Sequence, residues 1–241
     1  IITGGSRGLG AVLAATLADQ GADIAITYAA SADKAESVAE VVRAKGVRAL
    51  AIRCDQADTS AAQPMVEQVV AELGKLDILI NNAAIAVQGK LVDDPTLDSA
   101  AFDRQWMVNV LGTVAITRAA AQKISDGGRI VFIGSGLGTR AIVPGIADYA
   151  GTKAAIAGYA RGVQRDLGPR NITVNVVQPG IMPTDMTGEV AENFPQAVID
   201  MHPIRRIATI EEVAGAVSYL VSPAASYTAG AVIDVSGGVL V

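Results

Sequence analysis

The chain has 241 residues, 51% of them hydrophobic and 18% charged, with a net charge of −5, a composition that can bury one large α/β core. Its arginines are scattered and no basic block occurs, which argues against nucleic-acid binding. With one cysteine, Cys54, and one histidine, His202, an intramolecular disulfide and a multi-histidine zinc site are excluded and a cytoplasmic location is expected; no apolar run reaches the roughly 18–20 residues of a membrane span, and no signal peptide is visible.

Short apolar runs alternate with longer helical patterns along the chain. Ile1–Thr3 reads as a central strand, too short on its own, so further residues are expected upstream. A glycine turn leads into a helical pattern over 9–20, and strand Ile24–Tyr28 follows. Next come a helix near 32–45, strand Ala49–Cys54, a helix near 60–73 and strand Ile78–Asn81. A long helix near 98–123, with Asp98 suited to its N-cap, precedes strand Arg129–Ile133. The chain closes with a helix near 149–167, strand Thr173–Val177, a helix near 210–221 and strand Ala231–Val235. Gly21, Gly46, Gly74 and Gly168 stand where helices should stop. Several strands are apolar throughout, as in a parallel sheet covered on both faces. Repeated β-α order with right-handed crossovers predicts an α/β fold, a doubly wound parallel sheet of about seven strands in one domain. Met186–Pro203 is mixed in polarity, follows a strand end and reads as a substrate lid.

The turn Thr3-Gly4-Gly5-Ser6-Arg7-Gly8-Leu9-Gly10 lies between the first strand and the first helix. Glycines there permit positive φ and close approach of backbone N–H groups to a ligand, and the helix N-terminus favours a phosphate. The spacing departs from G-x-G-x-x-G, so the general dinucleotide fingerprint fits only loosely. Gly4-Gly5-Ser6-Arg7-Gly8 also matches the G-x-S-x-G elbow of α/β-hydrolases. That reading fails on context, because several strands should precede a nucleophile elbow and almost nothing precedes this one.

Tyr149 and Lys153 are four residues apart, which on a helix places phenol and ammonium on one face. A phenol with pKa about 10 is a poor acid or base at neutral pH, and a fixed positive charge beside it is expected to bring that value down. Taken singly, Tyr149 and Lys153 could be a solvated pair, Ser135 a turn serine and Asn109 a residue that bends its helix. His202 reads as a loop histidine and Trp106 as helix packing.

Thr3-Gly4-x3-Gly8-x-Gly10, Asn81-Asn82-Ala83-Ala84, Asn109, Ser135, Tyr149-x3-Lys153 and Pro179-Gly180-x3-Thr184 occur in one order along the whole chain, which ends near Gly237-Gly238. In this the chain resembles the short-chain dehydrogenase/reductases, and among them the 3-oxoacyl-carrier-protein reductase-like group; Ala84 departs from the usual glycine. The resemblance implies a Rossmann fold holding a nicotinamide cofactor across the strand ends. Gly4, Ser6, Arg7, Gly8, Leu9 and Gly10 would hold the pyrophosphate, with Tyr28, Ala29 and Ser31 at the end of strand two. Asp55 would accept from the adenine amino group beside Gln56; the alternative for Asp55 is a helix-capping or turn aspartate. Asn82 and Ala83 would line the adenosine ribose, and Gly180, Met182 and Thr184 would meet the nicotinamide end. Tyr149 would be the general acid, Lys153 would lower its pKa and bind the nicotinamide ribose, Ser135 would bond the substrate oxygen, and Asn109 would hold a water linking Lys153 to solvent. No metal is implied.

Thr27-Tyr28-Ala29-Ala30-Ser31 carries no carboxylate to bind a ribose 2′-hydroxyl, and Arg7 could pair with a 2′-phosphate, so NADPH is favoured over NADH. The expected activity is reduction of a small-molecule carbonyl to an alcohol, reversibly; the alternative is a non-catalytic or regulatory nucleotide-binding protein on the same fold. Ala154, Ala155, Ala157, Gly158, Ala160 and Gly162 leave one helix small or apolar around most of its circumference, which predicts a homo-oligomer, expected to be a tetramer; the resemblance implies that this helix and its neighbour over 98–123 pair across a dimer axis.

Overall fold

Apolar β-branched runs become strands wherever glycine or polar turns bound them, and the computed structural model, which describes residues 1–184, 186 and 196–240, bears out most of the expected order. The strands are β1 (Ile24–Tyr28), β2 (Ala49–Arg53), β3 (Leu76–Asn81), β4 (Ile124–Ile133), β5 (Thr173–Pro179) and β6 (Val232–Val235). The helices are α1 (Gly8–Asp19), α2 (Ala32–Arg43), α3 (Ala62–Leu73), α4 (Ser99–Trp106), α5 (Thr113–Ala121), α6 (Ala147–Leu167), α7 (Gln196–Asp200) and α8 (Ile210–Val221). β1 pairs with β2, and β3, β4, β5 and β6 pair in sequence, all parallel. Ile2 joins the two groups: it bridges Ile26 on one side and Ile80 on the other. The expected strand at Ile1–Thr3 is thus reduced to this two-sided bridge at the centre of the sheet.

Helices cover both faces. α3, α5 and α6 bury Met65, Val66, Ile116 and Ile156 against Phe132 and Val174. α1, α2 and α8 bury Leu13, Leu17, Val42 and Val217 against Ile26, Ile80 and Val177. This is the doubly wound arrangement, in which ligands lie outside the carboxyl ends of the strands.

Asp98 caps α4 as expected, accepting from the Ala101 N–H. Gly21, Gly46 and Gly74 take φ of 84°, 88° and 86° at helix ends. Gly168 instead opens a 3₁₀ turn with Pro169, and Asn171 takes the left-handed position at φ 56°. The helix expected over 98–123 divides into α4, a π-helical turn at Met107–Gly112 and α5. The wide turn has a tertiary cause. A Cβ at Gly112 would lie 1.8 Å from the Gln56 carbonyl oxygen, so only glycine lets the segment after β2 press against the helix here. Half of the expected lid over 186–203 falls on 187–195, outside the described residues; α7 lies in its remainder.

Candidate active site

The glycine turn leaves the sheet after Ile2 and doubles back into α1. Gly4 and Gly8 take φ of 64° and 53°. A Cβ would meet Ala83 at 2.9 Å from Gly4, Ile26 at 2.4 Å from Gly5 and the Gly4 carbonyl oxygen at 2.4 Å from Gly10. At Gly8 the nearest atoms would be those of Thr184 at 3.7 Å. Gly4, Gly5 and Gly10 are therefore spent on packing the turn, while Gly8 keeps an open face at the start of α1. Arg7, the N-cap, makes no side-chain cap bond. A cradle stripped of Cβ atoms at an N-terminus without a side-chain cap fits a diphosphate.

Thr3, which sequence reasoning left unassigned, organises the wall beside this turn. Its hydroxyl accepts from the N–H groups of Asn82 (3.0 Å) and Ala83 (2.9 Å). The Asn82 carboxamide donates back to the carbonyls of Thr3 (2.8 Å) and Gly4 (3.1 Å). Asn82 thus holds the turn itself, and Ala83 supplies the methyl against Gly4.

Two expected adenosine contacts are engaged elsewhere. Asp55 accepts from the Ala57 N–H (3.0 Å) and from Arg104 of α4 at 3.2 and 3.0 Å, bonds that hold its carboxyl below the usual range. The Gln56 side chain is buried and donates to Ala83 O (3.2 Å), Val108 O (2.8 Å) and Thr113 Oγ1 (3.1 Å), so it pins the π turn. Tyr28, Ala29 and Ser31 end β1 and lead into α2, whose N-cap is Ser31.

At the end of β4, Ser135 accepts from the Leu137 N–H (3.2 Å), and its side chain faces the Tyr149 phenol closely enough to favour the phenolate. Tyr149 and Lys153 are on one face of α6, both buried. Gly138 brings the segment after Ser135 against the helix: a Cβ there would lie 2.8 Å from the Lys153 carbonyl carbon and the Ala154 nitrogen. Burial pushes the Tyr149 phenol above its ordinary value, partly offset by the Ser135 side chain, and pushes Lys153 down to about 8. The Lys153 ammonium donates to Ile133 O at 2.9 Å and sits 5.8 Å from the Tyr149 ring centre. The expectation that Lys153 lowers the phenol's pKa does not hold in this geometry, because both groups are desolvated and the ammonium points to a carbonyl.

Asn109, on the π turn, makes a two-way bond with Ile85, accepting from its N–H (2.9 Å) and donating to its carbonyl (2.9 Å), and also donates to Thr152 Oγ1 (3.2 Å). Its carboxamide therefore ties the loop after β3 to α6. Gly180 packs a Cβ-free edge against Ser236 at 2.9 Å beside Met182 and Thr184. Beyond Gly180 a cavity of ≈ 440 Å³ lies between Pro203, Ile204 and the C-terminal glycines; it contains none of Ser135, Tyr149 and Lys153. His202 lines it, its Nδ1 bonded to Val198 O at 2.9 Å. Among the described residues no group of acidic, cysteine or histidine side chains could hold a metal, and no helix is long and apolar enough to cross a membrane.

Residues 4–240 match the family model described as enoyl-(acyl carrier protein) reductase. The chain is 35% identical over 240 residues to the 3-oxoacyl-(acyl-carrier-protein) reductase FabG of Staphylococcus aureus, covering 99% of this chain and 96% of that one. The chain belongs to the short-chain dehydrogenase/reductase family. It is also 39% identical over 239 residues to the cyclic-di-GMP-binding biofilm dispersal mediator protein of Escherichia coli, covering 98% of this chain and 94% of that one. A crystal structure of a short-chain dehydrogenase from Burkholderia cenocepacia, in complex with NADP, superposes with a TM-score of 0.92 at 42% identity, covering 100% of this chain and 96% of that one.

Proposed function

We propose that this short-chain dehydrogenase/reductase is an NADPH-dependent carbonyl reductase that converts a ketone or 3-oxoacyl group to a hydroxyl, reversibly. The observation that carries this reading is the convergence of Ser135, Tyr149 and Lys153, all buried, where β4 ends and α6 begins. Bound NADPH supplies the hydride. Tyr149 donates its hydroxyl proton to the substrate oxygen. Its burial keeps the phenol protonated at neutral pH, so the proton is in place when the substrate oxygen arrives. Ser135 Oγ, beside the phenol, bonds the same substrate oxygen and fixes its approach. Lys153 keeps a mobile positive charge in the site, and with a pKa of about 8 it can pass on a proton near neutrality. Asn109 positions α6 through Thr152.

Preference for NADPH is supported by Arg7 at the mouth of the Gly8 cradle and by the lack of a carboxylate over Tyr28–Ser31. A single buried cysteine, Cys54, and the absence of any basic block fit a cytoplasmic enzyme acting on small molecules. The enzyme works as a homo-oligomer, a tetramer, with the outer face of α6 as one contact. Of its small residues Ala157 and Ala160 pack into the protomer's own core, but Ala154 and Gly158 are exposed, and a Cβ at Gly158 or Gly162 would meet nothing within 4 Å. Leu111, on the adjoining π turn, is 48% exposed.

The test is NADPH oxidation against a panel of ketones and 3-oxoacyl thioesters, with Tyr149→Phe as the paired variant. Turnover by the wild type and a loss of about 10²–10⁴-fold in the variant, with NADPH binding kept, is expected. A variant retaining more than about a tenth of kcat would place the acid elsewhere. A chain that binds NADPH but reduces nothing would be a nucleotide-binding protein on this fold.

A further inference from the structure

Trp106 closes α4, one turn before Asn109. Its indole N–H donates to Asp148 Oδ1 at 2.8 Å, and Asp148 immediately precedes Tyr149 in the first turn of α6. The indole ring lies close enough to that turn that a Cβ at Gly151 would be 3.1 and 3.2 Å from its Cζ2 and Cη2 atoms. α6 lacks the usual device for holding such a turn, since its N-cap is Ile146 and no side-chain cap bond is made. One turn further on, Asn109 donates to Thr152 Oγ1 (3.2 Å), and that hydroxyl donates to the Tyr149 carbonyl (2.8 Å). Residues 148, 151 and 152 are thus gripped from α4 and the π turn, while 149 and 153 carry the phenol and the ammonium toward the end of β4.

We propose that Trp106 and Asp148 form a positioning pair that sets the rotation of α6 about its axis and so the place of the Tyr149 hydroxyl beside Ser135. The pair takes the part of a missing helix cap, with the difference that its anchor is another element of the active site. Rotation of α6 by a few degrees would move a phenol oxygen at the end of a long side chain by about 1 Å, and a misplacement of that size can cost about 10²-fold in rate. The glycine turn and α1, which form the diphosphate cradle, lie on other elements, so most of cofactor binding is spared. The inference rests on Tyr149 being the general acid, as proposed above.

Trp106 is the only tryptophan of the chain, so its intrinsic fluorescence reports this pair alone. Asp148→Ala is expected to shift that emission and to lower kcat about tenfold, with the Kd for NADPH and the carbonyl KM within about twofold of wild type. Asp148→Asn keeps the acceptor oxygen and should restore both emission and kcat. Trp106→Phe keeps a ring against Gly151 and loses the donor; it should match Asp148→Ala in kcat, and the double variant Trp106→Phe/Asp148→Ala should be no worse than either single one. Unchanged kcat in the single variants, losses that multiply in the double variant, or a fall in NADPH affinity equal to the fall in kcat would each overturn the pair's role while leaving the reductase reading intact. Failure of Asp148→Asn to recover kcat would overturn it too. An inactive wild type would sink both, because a positioning role needs a reaction to serve.

Discussion

Replacing Lys153 with methionine should stabilise the fold while destroying turnover. The ammonium is buried, and burial brings its pKa from the ordinary 10.5 to about 8. One pKa unit corresponds to about 1.4 kcal/mol, so holding the charged form in the folded chain at neutral pH costs about 3 kcal/mol. Methionine fills similar space without a charge but abandons the charged bond to Ile133 O, a loss of about 2 kcal/mol. The balance is a gain of about 1 kcal/mol at pH 7, or a rise in Tm of about 3 °C for a chain of this size. The pH dependence follows from the sign. Between pH 8 and 10.5 the unfolded lysine holds its proton while the folded one has lost it, so the wild type becomes more stable as pH rises through that window. The advantage of Lys153→Met should therefore shrink toward zero near pH 9.5, a value within that interval. Urea unfolding of both proteins at pH 7 and 9.5, at one protein concentration so that assembly contributes equally, measures it. A variant less stable than wild type at pH 7, or a difference that does not change with pH, would refute the reasoning.

Two further outcomes test the cofactor and assembly readings. Arg7→Ala should weaken NADPH binding about tenfold and leave NADH nearly unchanged in fluorescence titrations, since a guanidinium–phosphate pair is lost; equal losses for both would show that Arg7 acts on the turn. Ala154→Arg, on the exposed face of α6, should dissociate the assembly in light scattering at micromolar concentration, whereas an unchanged mass would move the interface elsewhere, and a wild type with the mass of one 24.6 kDa chain would remove the assembly altogether.

The alternation of strands and helices was legible because it depends on local patterns: apolar runs bounded by Gly21, Gly46 and Gly74, and an aspartate at position 98 placed to cap. What failed was decided by contacts between distant segments. Nothing near Gly112 in sequence says that the Gln56 carbonyl will occupy the space of its Cβ, so the π turn was read as ordinary helix. Asp55 looked free to meet an adenine, yet Arg104, 49 residues on, bonds both its oxygens. Gln56 follows Asp55, and only the fold turns its side chain inward to the π turn. Trp106 was read as packing, correctly as far as its ring against Gly151 goes, and only the fold brings its N–H to Asp148.

The same limit explains the catalytic pair. Spacing on a helix placed Tyr149 and Lys153 together, and the chemistry of an isolated phenol and ammonium then predicted a lowered phenol pKa. The fold adds two conditions that spacing cannot carry. Both groups are sealed from water, which disfavours phenolate and ammonium alike, and the nearest acceptor for the ammonium is the Ile133 carbonyl. Tyr149 is consequently raised and Lys153 lowered, the reverse of the expected direction for the phenol. For a reductase that arrangement is functional. The proton needed on the product oxygen is kept on Tyr149 through neutral pH, and the neighbour able to replace it titrates at about 8. The reverse reaction requires the phenolate as base, so alcohol oxidation should rise with pH while carbonyl reduction stays level across neutrality and falls on the alkaline side.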